Sequence, residues 1–168
     1  MKKLLFSLSL VALSLISLSA QRVAVVDINL ILESMDDYEN AQRELDKVAA
    51  GWRQEIAKEY DEIKSMFNRL QAEKVLLTNE QQMQKEEEII SKEKQVRELQ
   101  KRRFGPEGDL FLKRQELVSP IQDKVYFAIE DYADDRGYEL ILDKNGAAGI
   151  LFASETLDKT SEIIKRIK

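Results

Sequence analysis

The sequence predicts an α+β fold that is mainly helical, with a long antiparallel helical hairpin of coiled-coil type on a small β-rich oligomerisation body. Three observations carry this. Apolar residues recur at helical spacing from Tyr38 to Leu70. A turn signature at Thr78-Asn79-Glu80-Gln81 separates that stretch from a second, much more polar one. Strand-like runs occur only toward the two ends of the chain, at residues 22–27, 138–143 and 149–153.

The N-terminus reads as a secretory signal over residues 1–20. Met1-Lys2-Lys3 is a positive head, Leu4 to Leu18 carries no charge, and small residues follow at Ser19 and Ala20. The apolar run is shorter than the roughly 20 residues that span a bilayer. Cleavage after Ser19 and after Ala20 both fit, and an uncleaved anchor is the alternative. No cysteine follows the run, which excludes a lipid-modified N-terminus there. Loss of Lys2 and Lys3 would move the formal charge from −5 to −7.

Residues 21–36 are expected to contribute the first strand and a short helix to the body. Arg-Val-Ala-Val-Val-Asp at 22–27 is β-branched and reads as a buried strand. Asp36 or Asp37 is then a plausible N-cap for a long helix. Its stripe runs Tyr38, Ala41, Leu45, Val48, Trp52, Ile56, Tyr60, Ile63, Phe67 and Leu70, at spacings of 3 and 4 with one stutter near Trp52 to Tyr60. Thr78 followed by Gln81 fits a capping box, so the hairpin spans 37–119 with its tip near 76–79. A connection that short forces antiparallel helices.

The returning helix is sparse in apolar residues from Glu80 to Arg103 and suits a thin arm in water, not a globular core. An arm of about 40 residues each way would be about 60 Å long. Gly105, Pro106 and Gly108 interrupt the pattern, as does Ser119-Pro120. Both are read as kinks because the apolar period resumes beyond them, with a full break at 105–108 as the alternative. The segment is a candidate hinge.

Residues 120–168 complete the body. Apolar positions run through Ile121, Val125, Ile129 and Tyr132 to a helix stop at Gly137. Tyr138 to Asp143 reads as a second strand. Asn145-Gly146 is a turn signal after which Gly149 to Ala153 can return as a third strand in a hairpin. Leu157 to Ile167 reads as a terminal helix. The expected body core is Val23, Val25, Leu140, Ile141, Leu142 and Ile150. About 65 residues make a marginal core for one chain, so oligomerisation is expected.

The chemical inventory argues against an enzyme. Without His or Cys there is no imidazole base, no thiolate and no ordinary zinc site. No glycine spacing cradles a phosphate, so no cofactor is expected. Carboxylate pairs such as Asp36-Asp37 and Asp134-Asp135 are read as solvated helix faces. Charge is uneven along the chain. Residues 27–63 and 104–168 are acidic, whereas 64–103 carry ten basic and seven acidic side chains. Arg97, Lys101, Arg102 and Arg103 form the densest cluster, a candidate site at the arm tip for anionic lipid or lipopolysaccharide head groups. Nucleic acid is disfavoured by the overall sign. Tyr60, Ile63, Phe67 and Leu70 are read chiefly as helix seam. They are also the candidates for partly exposed contacts with unfolded chains, since the facing helix offers few apolar partners.

Four segments taken together resemble the Skp (OmpH) family of periplasmic chaperones: Val-Ala-Val-Val-Asp at 23–27, Pro-Ile-Gln-Asp-Lys-Val at 120–125, Arg-Gly-Tyr-Glu-Leu-Ile-Leu-Asp-Lys at 136–144, and Leu-Asp-Lys-Thr-Ser-Glu-Ile-Ile-Lys at 157–165. The resemblance implies a jellyfish-like homotrimer in the periplasm, whose helical arms hold unfolded outer-membrane proteins without ATP. The chain departs from the familiar member in being acidic and in carrying the 105–108 breakers. A coiled-coil scaffold or adaptor of the cell envelope, without a client cycle, is the competing expectation.

Overall fold

The structure is a computed structural model that describes residues 22–146 and 149–168. Residues 1–20, read above as the signal peptide, lie outside them. The chain divides into two compact units, one of residues up to 31 together with 127–168 and the other of residues 32–126.

In the first unit, β1 (Val23–Val26) pairs in parallel with β2 (Leu140–Asp143), Val23 opposite Leu140 and Val26 opposite Asp143. Parallel neighbours need a long crossover, here the whole stretch between the two strands. The other edge of β1 is occupied as well. Val25 donates its N–H to Leu157 at 2.9 Å and accepts from Lys159 at 2.9 Å, a one-residue parallel bridge. That enclosure explains why Ala24, Val25 and Val26 are all buried, together with Ile31, Tyr132 and Ile163.

The expected third strand is not formed: residues 149–153 belong to no strand. The Asn145-Gly146 turn is present, with Gly146 N–H on the Asp143 carbonyl at 3.2 Å. Gly149 then adopts φ +61, a left-handed turn where the return strand would begin. Leu151 and Phe152 are adjacent, so a strand could bury only one of them on a given face, and both are exposed here. The place beside β1 goes instead to residues 157–159. Of the expected body core, Val25 is buried. Val23, Ile141, Leu142 and Ile150 are half-buried, and Leu140 is exposed.

The C-terminal helix, expected from Leu157, starts later, at Thr160 (Thr160–Ile167). Asp158 sets that start by accepting from the Thr160 N–H at 3.0 Å and from its hydroxyl at 2.6 Å. The Thr160 oxygen in turn accepts from the Asp27 N–H at 2.9 Å, which satisfies the buried threonine and ties helix start to strand end. Lys144 pairs with Asp158 at 2.7 Å. Burial opposes the Asp158 charge, but hydrogen bonds from Lys144 and Thr160 outweigh it and lower the carboxyl pKa to about 2.

Gly137 ends the helix Asp109–Arg136 as expected, at φ +65. Its N–H reaches the Asp134 carbonyl and the Tyr138 N–H the Ala133 carbonyl, the paired bonds of a Schellman stop. Pro120 lies inside that helix without ending it.

The second unit is built on two long helices. We label the helices α1 (Ile28–Glu33), α2 (Asp36–Glu73), α3 (Asn79–Phe104), α4 (Asp109–Arg136) and α5 (Thr160–Ile167). The N-cap of α2 is Met35, not Asp36 or Asp37. The two aspartates fall inside the first turn with Glu39, where their charge faces the positive end of the helix dipole. The Thr78 capping box is present in full: Thr78 Oγ1 accepts from the Gln81 N–H, and Gln81 Oε1 accepts from the Thr78 N–H. Residues 105–108 do not continue the helix as a kink. They break it, separating α3 from α4.

Candidate functional site

The hairpin of α2 and α3 is the feature from which function must be built. Its seam consists of Ile56, Ile63 and Leu70 on α2 and Ile89 and Val96 on α3, each series spaced by seven. Ion pairs fix the antiparallel register. Lys92 bridges Glu59 and Glu62 at 2.7 Å each, and Lys85 meets Glu73 at 3.2 Å. Hydrogen bonds that Lys92 donates, to Glu59 first and Glu62 second, raise its pKa. The apolar seam is thus flanked by ion pairs, which gives a specific but narrow hairpin.

The four candidate contact residues separate into two pairs. Ile63 and Leu70 are 6% and 4% exposed and belong to the seam. They cannot meet another chain unless the hairpin opens, so of the four candidates for client contact these two keep only the seam role. Tyr60 and Phe67 are 44% and 43% exposed and lie on the flank. Tyr60 OH reaches Gln100 Oε1 on α3 at 3.4 Å, which holds the ring along the groove between the helices.

Further exposed apolar residues escaped the sequence reading. Val75 and Leu76 protrude at the turn, and Met83 and Ile90 on α3 are more than half exposed. Met83, Ile90 and Arg97 are spaced by seven, one position after Ile89 and Val96, so they face away from the seam. That offset was the available signal. The hairpin therefore carries apolar side chains in water at its turn and along its flank while its seam is already filled.

The basic cluster does not lie at the tip. The turn is at residues 74–78, whereas Arg97, Lys101, Arg102 and Arg103 occupy the far end of α3, about 27 to 36 Å along it at 1.5 Å per residue. Arg97 pairs with Glu93 at 3.4 Å, and Lys101 and Arg102 are exposed. Arg103 is part of the helix break. Its Nη1 donates to Asp109 at 2.7 Å and its Nη2 to Glu55 at 3.4 Å, and its guanidinium lies 4.7 Å over the Trp52 ring.

The break needs its glycines for space. A Cβ on Gly105 would stand 2.4 Å from the Lys101 carbonyl oxygen, and one on Gly108 2.6 Å from that of Arg102. Pro106, between them, can donate no N–H to a continued helix. Among the described residues no His, Cys, Asp or Glu group is arranged to hold a metal, and no helix is long and apolar enough to cross a membrane.

The model of the family described as outer membrane protein (OmpH-like) matches residues 22–167, nearly the whole described chain. The chain belongs to the Skp/OmpH family. It is similar to the chaperone protein Skp of Yersinia enterocolitica, 25% identical over 96% of this chain and 95% of that protein. It is also similar to the chaperone protein Skp of Pectobacterium atrosepticum, 23% identical over 89% and 87%. The fold matches a Caulobacter crescentus crystal structure described as an OmpH-like outer membrane chaperone. The TM-score is 0.72 over 89% of this chain and 85% of that one, at 13% identity. Skp/OmpH proteins are a chaperone family, not an enzyme family, which agrees with the missing imidazole and thiol chemistry.

Proposed function

We propose that this chain is an ATP-independent holdase of the periplasm, which binds unfolded outer-membrane proteins and keeps them from aggregating. The observation that carries the reading is the set Tyr60, Phe67, Val75, Leu76, Met83 and Ile90, exposed on a hairpin whose own seam is complete. Large apolar side chains held in water on a rigid support are costly unless something covers them. An unfolded chain can cover them through many shallow contacts without a fixed pocket.

The same reading includes a homotrimer. Leu140, Leu151 and Phe152 are exposed in a small first unit, apolar surface that neighbouring copies can bury. Lys101 and Arg102, with Arg97 beside them, are the side chains left to meet anionic lipid or lipopolysaccharide, Arg103 being engaged at the break.

The test is dilution of a urea-denatured outer-membrane β-barrel into buffer with the protein at stoichiometric ratio, followed by light scattering. Suppression without nucleotide is expected. Undiminished scattering would refute the holdase reading, and a single folded partner bound tightly in its place would mark a scaffold.

A further inference from the structure

The helix break does more than interrupt the arm: it opens a groove along α2 that carries unpaired positive charge. Two cavities, of about 400 and 360 Å³, share Arg53 and Phe104 as walls. The larger lies against the break, with Leu45, Ala49 and Phe111 as apolar lining and Arg114 at its edge. The smaller continues past Ile56 to Tyr60 and Gln100. From Leu45 to Tyr60 the groove follows α2 for about 22 Å, the length of roughly six or seven extended residues.

Its charge is opposite to the net charge of the chain. The chain is acidic, and most arginines near the groove are engaged: Arg43 with Glu39, Arg97 with Glu93, Arg103 with Glu55 and Asp109. Arg53 and Arg114 are exposed and pair with no carboxylate among the described residues. Arg53 rests only against the Phe104 ring, its guanidinium 5.9 Å from the centroid. One carboxylate, Asp46, shares the lining, so the site keeps a net positive charge.

The geometry points to this groove as a docking site for an extended acidic-apolar segment of an unfolded protein, its carboxylate held by Arg53 and Arg114 and its flanking apolar side chains laid on Leu45, Phe104 and Phe111. Charge complementarity selects the carboxylate, since two planar guanidiniums form forked hydrogen bonds with it. Gln42, Gln100 and the Tyr60 hydroxyl line the groove as partners for peptide N–H and C=O groups. A lipid acyl chain makes no hydrogen bonds with Gln42 or Gln100, whereas a peptide backbone can, so the peptide is the occupant favoured here. The inference rests on the holdase reading and adds to it a local preference on an arm otherwise bound through unselective apolar contact.

The experiment uses the full chain and fluorescein-labelled nine-residue peptides. One carries a central Asp between Phe and Leu, a second has Lys for that Asp, and a third has Ser for the apolar residues. Anisotropy should show the first binding about tenfold more tightly than either control. Arg53→Ser with Arg114→Ser should abolish the difference, whereas Arg69→Ser, elsewhere on α2, should preserve it. Circular dichroism confirms that the variants keep their helix. Equal affinity for the three peptides, or a preference that survives the double substitution, would overturn the inference. So would arginine-dependent binding to anionic phospholipid vesicles that the acidic peptide does not displace, which would make the groove a lipid site. Barrel scattering, run in parallel, separates the two readings. Aggregation suppressed with no peptide preference sinks only the groove. A peptide preference with no suppression sinks only the holdase.

Discussion

Arg103 lies with its guanidinium 4.7 Å over the ring of Trp52, and one edge of the same fork donates to Asp109 beyond the helix break. One side chain thus joins α2, the end of α3 and the start of α4. The stacking face and the donor edges act together, which a lysine cannot reproduce. Arg103→Lys and Arg103→Met should each lower stability by about 1 to 2 kcal/mol, the arginine side chain being 25% exposed. Thermal unfolding measures the loss. Amide exchange should localise it to residues 103–112, and unchanged protection there would show that the break holds without its clasp.

The break itself is tested through its glycines. Alanine at Gly105 and Gly108 places a Cβ within 2.4 and 2.6 Å of carbonyl oxygens, so the present geometry cannot persist. Alanine also favours helix over glycine by about 1 kcal/mol per position. With Pro106→Ala added, which restores the missing helix donor, helical content should rise, and the stiffer arm should lose affinity for a large unfolded barrel more than for a small one. Equal losses for both sizes, or none, would show that the segment is not a working hinge.

Ile63 and Phe67 are four residues apart and should behave in opposite ways. Ile63→Ala empties part of a filled seam and should cost about 2 kcal/mol or more, seen as a lower melting temperature of the hairpin. Phe67→Ser changes an exposed flank and should leave stability within about 0.5 kcal/mol. If both variants melt alike, the division of the stripe into seam and surface is wrong.

Acid should act on the first unit through Asp158. Its folded pKa, about 2, lies below the ordinary 3.8, so the ionised carboxylate stabilises the fold above that ordinary value. This contribution is lost as pH falls from about 4 toward 2. Asp158→Asn should destabilise by about 1 to 2 kcal/mol at neutral pH, allowing for solvent screening, and the gap to the wild type should close near pH 2. A gap that is constant with pH would mean that hydrogen-bond geometry, not charge, holds the helix start.

The arm could be read from the sequence because its signals are local. A seven-residue repeat, a capping box and a C-terminal glycine each depend on a few neighbouring residues. What could not be read depends on the facing element. Tyr60 and Phe67 share the 3–4 spacing of Ile63 and Leu70, and only the position of α3 shows which pair it covers. The 105–108 segment looks like a kink when the apolar period is followed past it. Its break is local in Gly105, Pro106 and Gly108 but is also clasped by Arg103 reaching Glu55 and Asp109, the former 48 residues away in sequence. The Asn145-Gly146 turn formed as expected, yet the strand it should have launched did not, because Gly149 turns the chain again and residues 157–159 take the place beside β1.

The central claim is that the exposed flank and turn of the hairpin, not its seam, hold unfolded protein. It is tested most directly by changing Tyr60, Phe67, Met83 and Ile90 to Ser together and measuring suppression of aggregation of a denatured outer-membrane barrel. Circular dichroism confirms the intact hairpin. Single changes should reduce suppression modestly, because affinity sums over many shallow contacts, and the fourfold variant should lose most of it. A folded fourfold variant that suppresses aggregation as well as the wild type would contradict the account.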